Sequence, residues 1–238
     1  ISCSLVGSEM CIRDRVNDMP EMKIIARIST PFKTKFGIPR QSGVTPDVKG
    51  EIIFEPDYRE IEAVRGLEGF SHIWLIWYFS ESVSDKWSPT VRPPRLGGNV
   101  RMGVFATRSP FRPNPIGLSS VVLERIEYTD DRGPVLHVRG ADLMDGTPIF
   151  DIKPYVAYAD SHPDASGGFT DKTEFKKLCV ELGDGVTPPL SEGLIEVLEN
   201  DPRPRYHDDP ERVYGMEYDG REVKFRVRGD TLTVIEIR

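Results

Sequence analysis

The sequence is poor in the residues that build metal centres and disulfide frameworks. Only 3 cysteines occur among 238 residues (Cys3, Cys11 and Cys179), an odd total with no pair at metal-ligand spacing. Neither a zinc knuckle nor a disulfide scaffold fits that pattern, and a reducing, cytoplasmic setting is expected. The 4 histidines, His72, His137, His162 and His207, are scattered with no His-x-x-x-His pair, so no metal is expected. Long hydrophobic runs are also missing. The longest, Ile73 to Phe79, falls far short of the roughly 20 residues a helix needs to cross a bilayer, so no membrane partner is expected. No Gly-x-Gly-x-x-Gly follows a strand, and no Walker loop, His-Glu-x-x-His or Gly-x-Ser-x-Gly elbow occurs. A Rossmann nucleotide site and the serine, zinc and P-loop hydrolases lose ground accordingly.

What is present is uneven charge. The net charge of −7 argues at first against a polyanionic partner. Yet Lys86 to Leu123 holds Lys86, Arg92, Arg95, Arg101, Arg108 and Arg112 and not one Asp or Glu, which is +6, leaving −13 for the remainder. Segregated charge, more than net charge, decides where a phosphate backbone docks. Six prolines (Pro89, Pro93, Pro94, Pro110, Pro113, Pro115) and Gly97-Gly98 stiffen the same stretch. A guanidinium fork suits phosphate or carboxylate, and Trp87, Phe105 and Phe111 offer faces for unpaired bases. By residue type alone a solvated loop with aromatics in the core is equally open.

Residues 1–18 read as a leader foreign to the fold: they lack the basic start and apolar run of a secretory signal, and a natural start is expected near Met19 or Met22. Strands are expected at Met22–Ile28, Glu51–Phe54, Ser71–Phe79, Val100–Thr107, Leu118–Tyr128, Val135–Arg139 and Pro148–Lys153, with helical turns between Tyr58 and Leu67. Many short strands with few long helical patterns imply a mainly β chain folded as a small barrel or sandwich. Ser161 to Gly168 has linker composition. Beyond it, helices are expected at Lys172–Leu182 and Leu190–Leu198, and a hairpin at Glu222–Arg228 and Thr231–Ile237, making a small C-terminal α+β domain. The expected division is a barrel at 19–161 and this domain at 162–238.

Gly140-Ala-Asp-Leu-Met-Asp-Gly-Thr-Pro148 is the other conspicuous cluster. Asp145-Gly146 reads either as a hairpin turn capped by Asp142 or as a ligand-binding or basic carboxylate beside the arginine-rich loop. The residues leave both open.

Several long blocks occur together and in order: Phe36-Gly-Ile-Pro-Arg-Gln41, Gly66-Leu-Glu-Gly-Phe-Ser-His-Ile-Trp74, Val91-Arg-Pro-Pro-Arg-Leu-Gly-Gly-Asn99, Gly103 to Leu118, and Asp145-Gly-Thr-Pro148 with Asp151-Ile-Lys-Pro-Tyr155. Together they resemble the TrmO (YaeB/TsaA-like) family from about Lys23 onward, more weakly after Asp160. Asp201-Pro-Arg-Pro204 with Tyr206 is similar to the family's small C-terminal domain, and the leader departs from it. The resemblance implies a homodimeric, non-Rossmann β-barrel. Its implied activity is S-adenosylmethionine-dependent methylation of N6-threonylcarbamoyladenosine at tRNA position 37, next to the anticodon. It places the cofactor at Arg40, Gln41, Ser80, Glu81, Arg108, Leu118 and the turn Asp142, Leu143, Met144 and Asp145. For the chemistry, Asp145 is the expected proton acceptor, and Arg108 or Arg112 the partner of the substrate's threonyl carboxylate. Arg92, Arg95, Arg101 and Arg112 are the expected RNA contacts. His72, inside an aromatic strand, is read as structural. The competing reading is a noncatalytic RNA-binding barrel akin to an OB-fold; a metal-dependent hydrolase of phosphorylated metabolites is a third.

Overall fold

Strand β3 (His72–Tyr78) shows why this chain closes on itself. Its residues alternate, with Ile73, Leu75 and Trp77 buried and His72, Trp74, Ile76 and Tyr78 half-buried on the other face. One edge of β3 pairs with β6 (Ile116–Thr129) and the other with β8 (Pro148–Pro154). With β1 (Ala26–Ser29), β2 (Lys49–Phe54) and β7 (Gly133–Arg139), these strands form a closed barrel in the order β1-β2-β7-β6-β3-β8, every neighbouring pair antiparallel. Closure removes the exposed edges that invite aggregation. The computed structural model describes residues 21–83, 86–97, 99–173, 176–203 and 209–238. The leader with Cys3, Cys11 and Met19, together with Gly98, Pro204, Tyr206, His207 and the side chain of Arg95, lies outside the described residues.

The barrel is packed, as a six-stranded barrel has room only for its own side chains. Ile28, Ile52, Ile73, Leu75, Leu136 and Ile149 are among its fully buried members, each contributing about 1.5–3 kcal/mol by leaving water. The expected helical turns around Tyr58 to Leu67 are 3-10 turns at Pro56–Tyr58, Ile61–Val64 and Leu67–Gly69, which cap one end with Val64, Tyr58 and Leu67.

Two expected elements are corrected. Val100–Thr107 is not a continuous strand. Only β5 (Met102–Gly103) is extended, pairing with β4 (Thr90–Val91), before the backbone turns into a 3-10 turn at Val104–Ala106. The barrel strands already pair with one another, so this insertion finds only its own short partner. The helix expected at Lys172–Leu182 is not found either: the described residues 176–182 of that stretch are not helical. Its end is β9 (Cys179–Leu182), which pairs in parallel with β12 (Thr231–Ile237). Leu178 and Val180, two apart, both face the neighbouring core, a period-two spacing that tertiary pairing selects over the helical one.

After a single helical turn α1 (Ala157–Asp160), the C-terminal part contains α2 (Glu192–Glu199), β10 (Val213–Tyr218) and β11 (Arg221–Arg228). Ser191 caps α2, its hydroxyl accepting from the Leu194 amide at 3.3 Å. The sheet order is β10-β11-β12-β9; β10 is an element the sequence reading did not foresee. Its hydrophobic cluster gathers Leu194, Val197, Leu198, Met216, Val223, Phe225 and Val234, and it also takes in Phe32 and Val48 from the connection between β1 and β2.

Candidate active site

Four pieces of chain meet at one end of the barrel: the β1–β2 connection, the end of β3, the start of β6, and the turn that leads into β8. They enclose a cavity of about 470 Å³, within the roughly 300–1,000 Å³ usual for small-molecule sites. Its wall includes Arg40, Gln41, Ser80, Glu81, Arg108, Leu118, Asp142 and Met144. Lys35, Trp77, Phe79, Arg112, Ile116, Gly117 and Thr147 line it as well.

A glycine makes room for the indole in the cavity wall. Trp77 on β3 faces Gly117 on β6 across the ladder, and a Cβ at 117 would lie 2.2 Å from the indole. Without a side chain there, the ring lies flat against β6. Its Nε1–H donates to the Ser119 hydroxyl at 3.0 Å, and that hydroxyl donates to Asp142 Oδ1 at 2.6 Å. Asp142 is thus held by a relay reaching from β3 through β6 to the turn. Burial pushes its carboxyl pKa up; the Ser119 hydrogen bond and the Arg108 charge oppose that without cancelling it. At the mouth, Arg108 Nη1 donates to Gln41 Oε1 at 2.5 Å, joining the proline-stiffened loop to the β1–β2 connection.

Two residues expected in the site are elsewhere. Leu143 points into the barrel core, 1% exposed, because alternation along Asp142-Leu-Met144 sends the middle residue inward. Asp145 does not line the cavity. Its carboxylate accepts from Lys33 Nζ at 2.6 Å, the Thr30 amide at 3.0 Å and the Ser29 hydroxyl at 3.1 Å, tying the turn to the end of β1. Burial alone would raise its pKa, but these three donors, Lys33 foremost, hold it below the ordinary range. A carboxylate so committed is a poor proton acceptor. Asp145→Asn is therefore expected to cost about 1–3 kcal/mol of stability and to leave the cavity chemistry in place, measured by urea denaturation beside a turnover assay. A depressed folded pKa stabilises above the unfolded value and loses that contribution as pH falls through the folded value. The stability gap between wild type and Asp145→Asn should accordingly shrink in acid.

His72 lies at the opposite end of β3 from Trp77, its Nδ1 2.9 Å from the Ser71 hydroxyl. Arg112 belongs to the cavity wall. Arg92 and Arg101 are exposed, and Arg101 Nε donates to Thr90 Oγ1 at 2.9 Å. The aromatics beside them are not core: Trp87, Phe105 and Phe111 are 51%, 73% and 54% exposed, and Trp87 and Phe105 have ring centroids 6.3 Å apart. Among the described residues, no group of three or more His, Cys, Asp and Glu side chains could hold a metal ion. Nor is any helix among them long and apolar enough to cross a membrane.

The family model described as tRNA-methyltransferase O N-terminal domain matches residues 27–161, and that of the TrmO C-terminal domain matches 172–238. The chain belongs to the TrmO family. The tRNA (adenine(37)-N6)-methyltransferase of Escherichia coli K12 is 42% identical over 215 residues, covering 85% of this chain and 91% of the relative. Its namesake from Eikenella corrodens is 51% identical over 163 residues, 66% of this chain and 91% of the relative. A crystal structure of TrmO from Pseudomonas aeruginosa aligns with a TM-score of 0.75 at 32% identity, covering 92% of this chain and 98% of the other. Every wall residue of the cavity falls inside the TrmO N-terminal match. Trp77 and Gly117 were missed as site residues, although a lone glycine inside a strand is a signal of close approach.

Proposed function

We propose that the barrel cavity binds S-adenosylmethionine and that the chain moves its methyl group to N6 of N6-threonylcarbamoyladenosine at position 37 of tRNA. The observation that carries this reading is Asp142, a carboxyl of raised pKa held by Ser119 and Trp77 in the wall of a cavity whose mouth is lined by Arg108 and Arg112. The residues suit the cofactor. Trp77, Phe79, Ile116, Leu118 and Met144 offer apolar faces to a purine and a sulfonium methyl, while Arg40, Gln41, Ser80 and Glu81 offer charge and hydrogen bonds to an amino-acid end.

Bound S-adenosylmethionine supplies a methyl group on a positively charged sulfur. The chain's own residues do the rest. The target nitrogen is ureido-like and weakly nucleophilic, so orientation matters most, contributing up to roughly 7–11 kcal/mol. Arg108 or Arg112 grips the threonyl carboxylate through a bidentate fork and sets the base in the mouth. Asp142 would take the N6 proton as the new C–N bond forms and the methyl's bond to sulfur breaks, its electron pair staying on the sulfur of the departing thioether. Burial raises its pKa above the ordinary carboxylate value, which strengthens it as a base. The apolar wall excludes water around the reacting atoms.

Arg92, Arg95 and Arg101 supply phosphate contacts, and the barrel at 19–161 carries the chemistry while 162–238 forms the smaller domain. The working form is a cytoplasmic homodimer. Replacing Arg92 and Arg101 with Gln should weaken tRNA binding and flatten the dependence of log K on log salt by roughly 0.7–0.9 per lost contact, read by filter binding across a salt series. An unchanged slope would return these arginines to solvent. Calorimetry with S-adenosylmethionine separates this reading from a noncatalytic RNA barrel: the proposed enzyme gives a binding isotherm, and an RNA module gives none.

A further inference from the structure

The C-terminal sheet reaches the cavity through the β1–β2 connection. Gly37 sits one residue before the wall residue Ile38 with φ of +93°, and a Cβ there would lie 2.6 Å from Met216 Cε on β10. Met216, 3% exposed, therefore packs directly on the backbone that enters the site. Three residues on, the wall residue Arg40 donates through Nη2 to the Arg203 carbonyl at 3.3 Å. That carbonyl is held in turn, because the Arg203 guanidinium lies 12% exposed on Asp201, with Nε–Oδ1 at 2.8 Å and Nη2–Oδ2 at 3.0 Å. Further ties flank the segment. Asp219 N donates to the Pro31 carbonyl at 2.9 Å, Asp47 N to Glu196 Oε2 at 2.8 Å, and Phe32 meets the Tyr218 ring edge-on at 5.7 Å.

The same segment also faces the site: Ile38, Pro39, Arg40 and Gln41 line the cavity, and Gln41 accepts from Arg108. A loop of this length has little to hold a fixed shape by itself; the barrel ties it at Phe32, Gly43 and Val48, and residues past 190 tie it at Pro31, Arg40, Val44 and Asp47. We infer that the C-terminal sheet is part of the scaffold of the cofactor site, with Met216 and Arg203 as positioning residues that press residues 37–41 into the cavity wall. This rests on the reading of the cavity as the S-adenosylmethionine site. Removing the sheet's grip should then alter how the cavity binds the cofactor.

The test uses the full chain and S-adenosylmethionine as the calorimetric probe. Met216→Ala is expected to raise the cofactor Kd about 10- to 100-fold, the scale of a site displaced by about an ångström. The tRNA KM should stay unchanged, and kcat should return at saturating cofactor. Met216→Leu, which keeps the bulk, restores affinity. Asp201→Asn loosens Arg203 without opening the core and shifts Kd in the same direction; it decides the matter if Met216→Ala does not fold. An unchanged cofactor Kd in the folded variants, or a rise in tRNA KM instead, overturns the positioning role. If wild type itself does not bind S-adenosylmethionine, the reading of the cavity fails instead.

Discussion

Asp142→Asn is expected to cut turnover by roughly 10²–10⁴-fold, the range that one positioned base contributes, while leaving the fold as stable as before or more so. The second half of that result follows from linkage. The folded pKa of Asp142 is raised, chiefly by burial, so between the unfolded and folded values the native state holds a proton that the unfolded chain has released. Stability from that group is present at low pH and is lost as pH rises through the window. Above the unfolded value the wild-type chain carries the cost of burying this carboxyl, and asparagine removes it while its carbonyl still accepts from Ser119. The rate behaves oppositely: only the carboxylate can accept a proton, so the acid limb of kcat/KM should turn above the ordinary carboxylate range and vanish in the variant. Thermal melts beside a pH–rate profile read both effects. A variant that keeps its turnover removes Asp142 from the chemistry.

Gly117→Ala should be nearly as damaging for a different reason. The added methyl would meet three atoms of the Trp77 indole between 2.2 and 2.6 Å, distances at which something must move. Trp77 is 6% exposed and hydrogen-bonded to Ser119, so it has no free direction except toward the cavity. Overpacking of this kind costs about 1–3 kcal/mol, and the shifted ring would also break the relay that holds Asp142. Urea denaturation and cofactor calorimetry should therefore both register the change. Pairing Gly117→Ala with Trp77→Phe, a smaller ring, should recover part of the stability; a double variant no better than the sum of the singles would place the damage elsewhere.

The barrel was legible because its strands carry their burial in their spelling. β3 alternates along its whole length, and β7 carries Val135, Leu136 and Val138 in a continuously buried stretch that only His137 interrupts by residue type. The short insertion strands and β9 were not legible, since their conformation depends on which neighbour has a free edge. Much of the cavity wall was named from the resemblance to the TrmO family, some of it inside the shared blocks (Arg40, Gln41, Arg108, Leu118) and some only by position (Ser80, Glu81, Asp142, Met144); all line the cavity. The choice between Asp142 and Asp145 needed coordinates. The two lie three residues apart on an irregular turn and face opposite ways, one onto Ser119 and the other onto Lys33, and nothing local announces either partner. Met216 on Gly37 is harder still, a contact between the two ends of the chain.

The central claim is methyl transfer from this cavity to a modified adenosine. Its most direct test is mass spectrometry of nucleosides from tRNA that carries N6-threonylcarbamoyladenosine, after incubation with the purified chain and S-adenosylmethionine. The account predicts that this nucleoside gains a methyl group with wild type and that Asp142→Asn all but abolishes the gain. Unmethylated threonylcarbamoyladenosine from a wild-type chain that binds both the tRNA and the cofactor would contradict it.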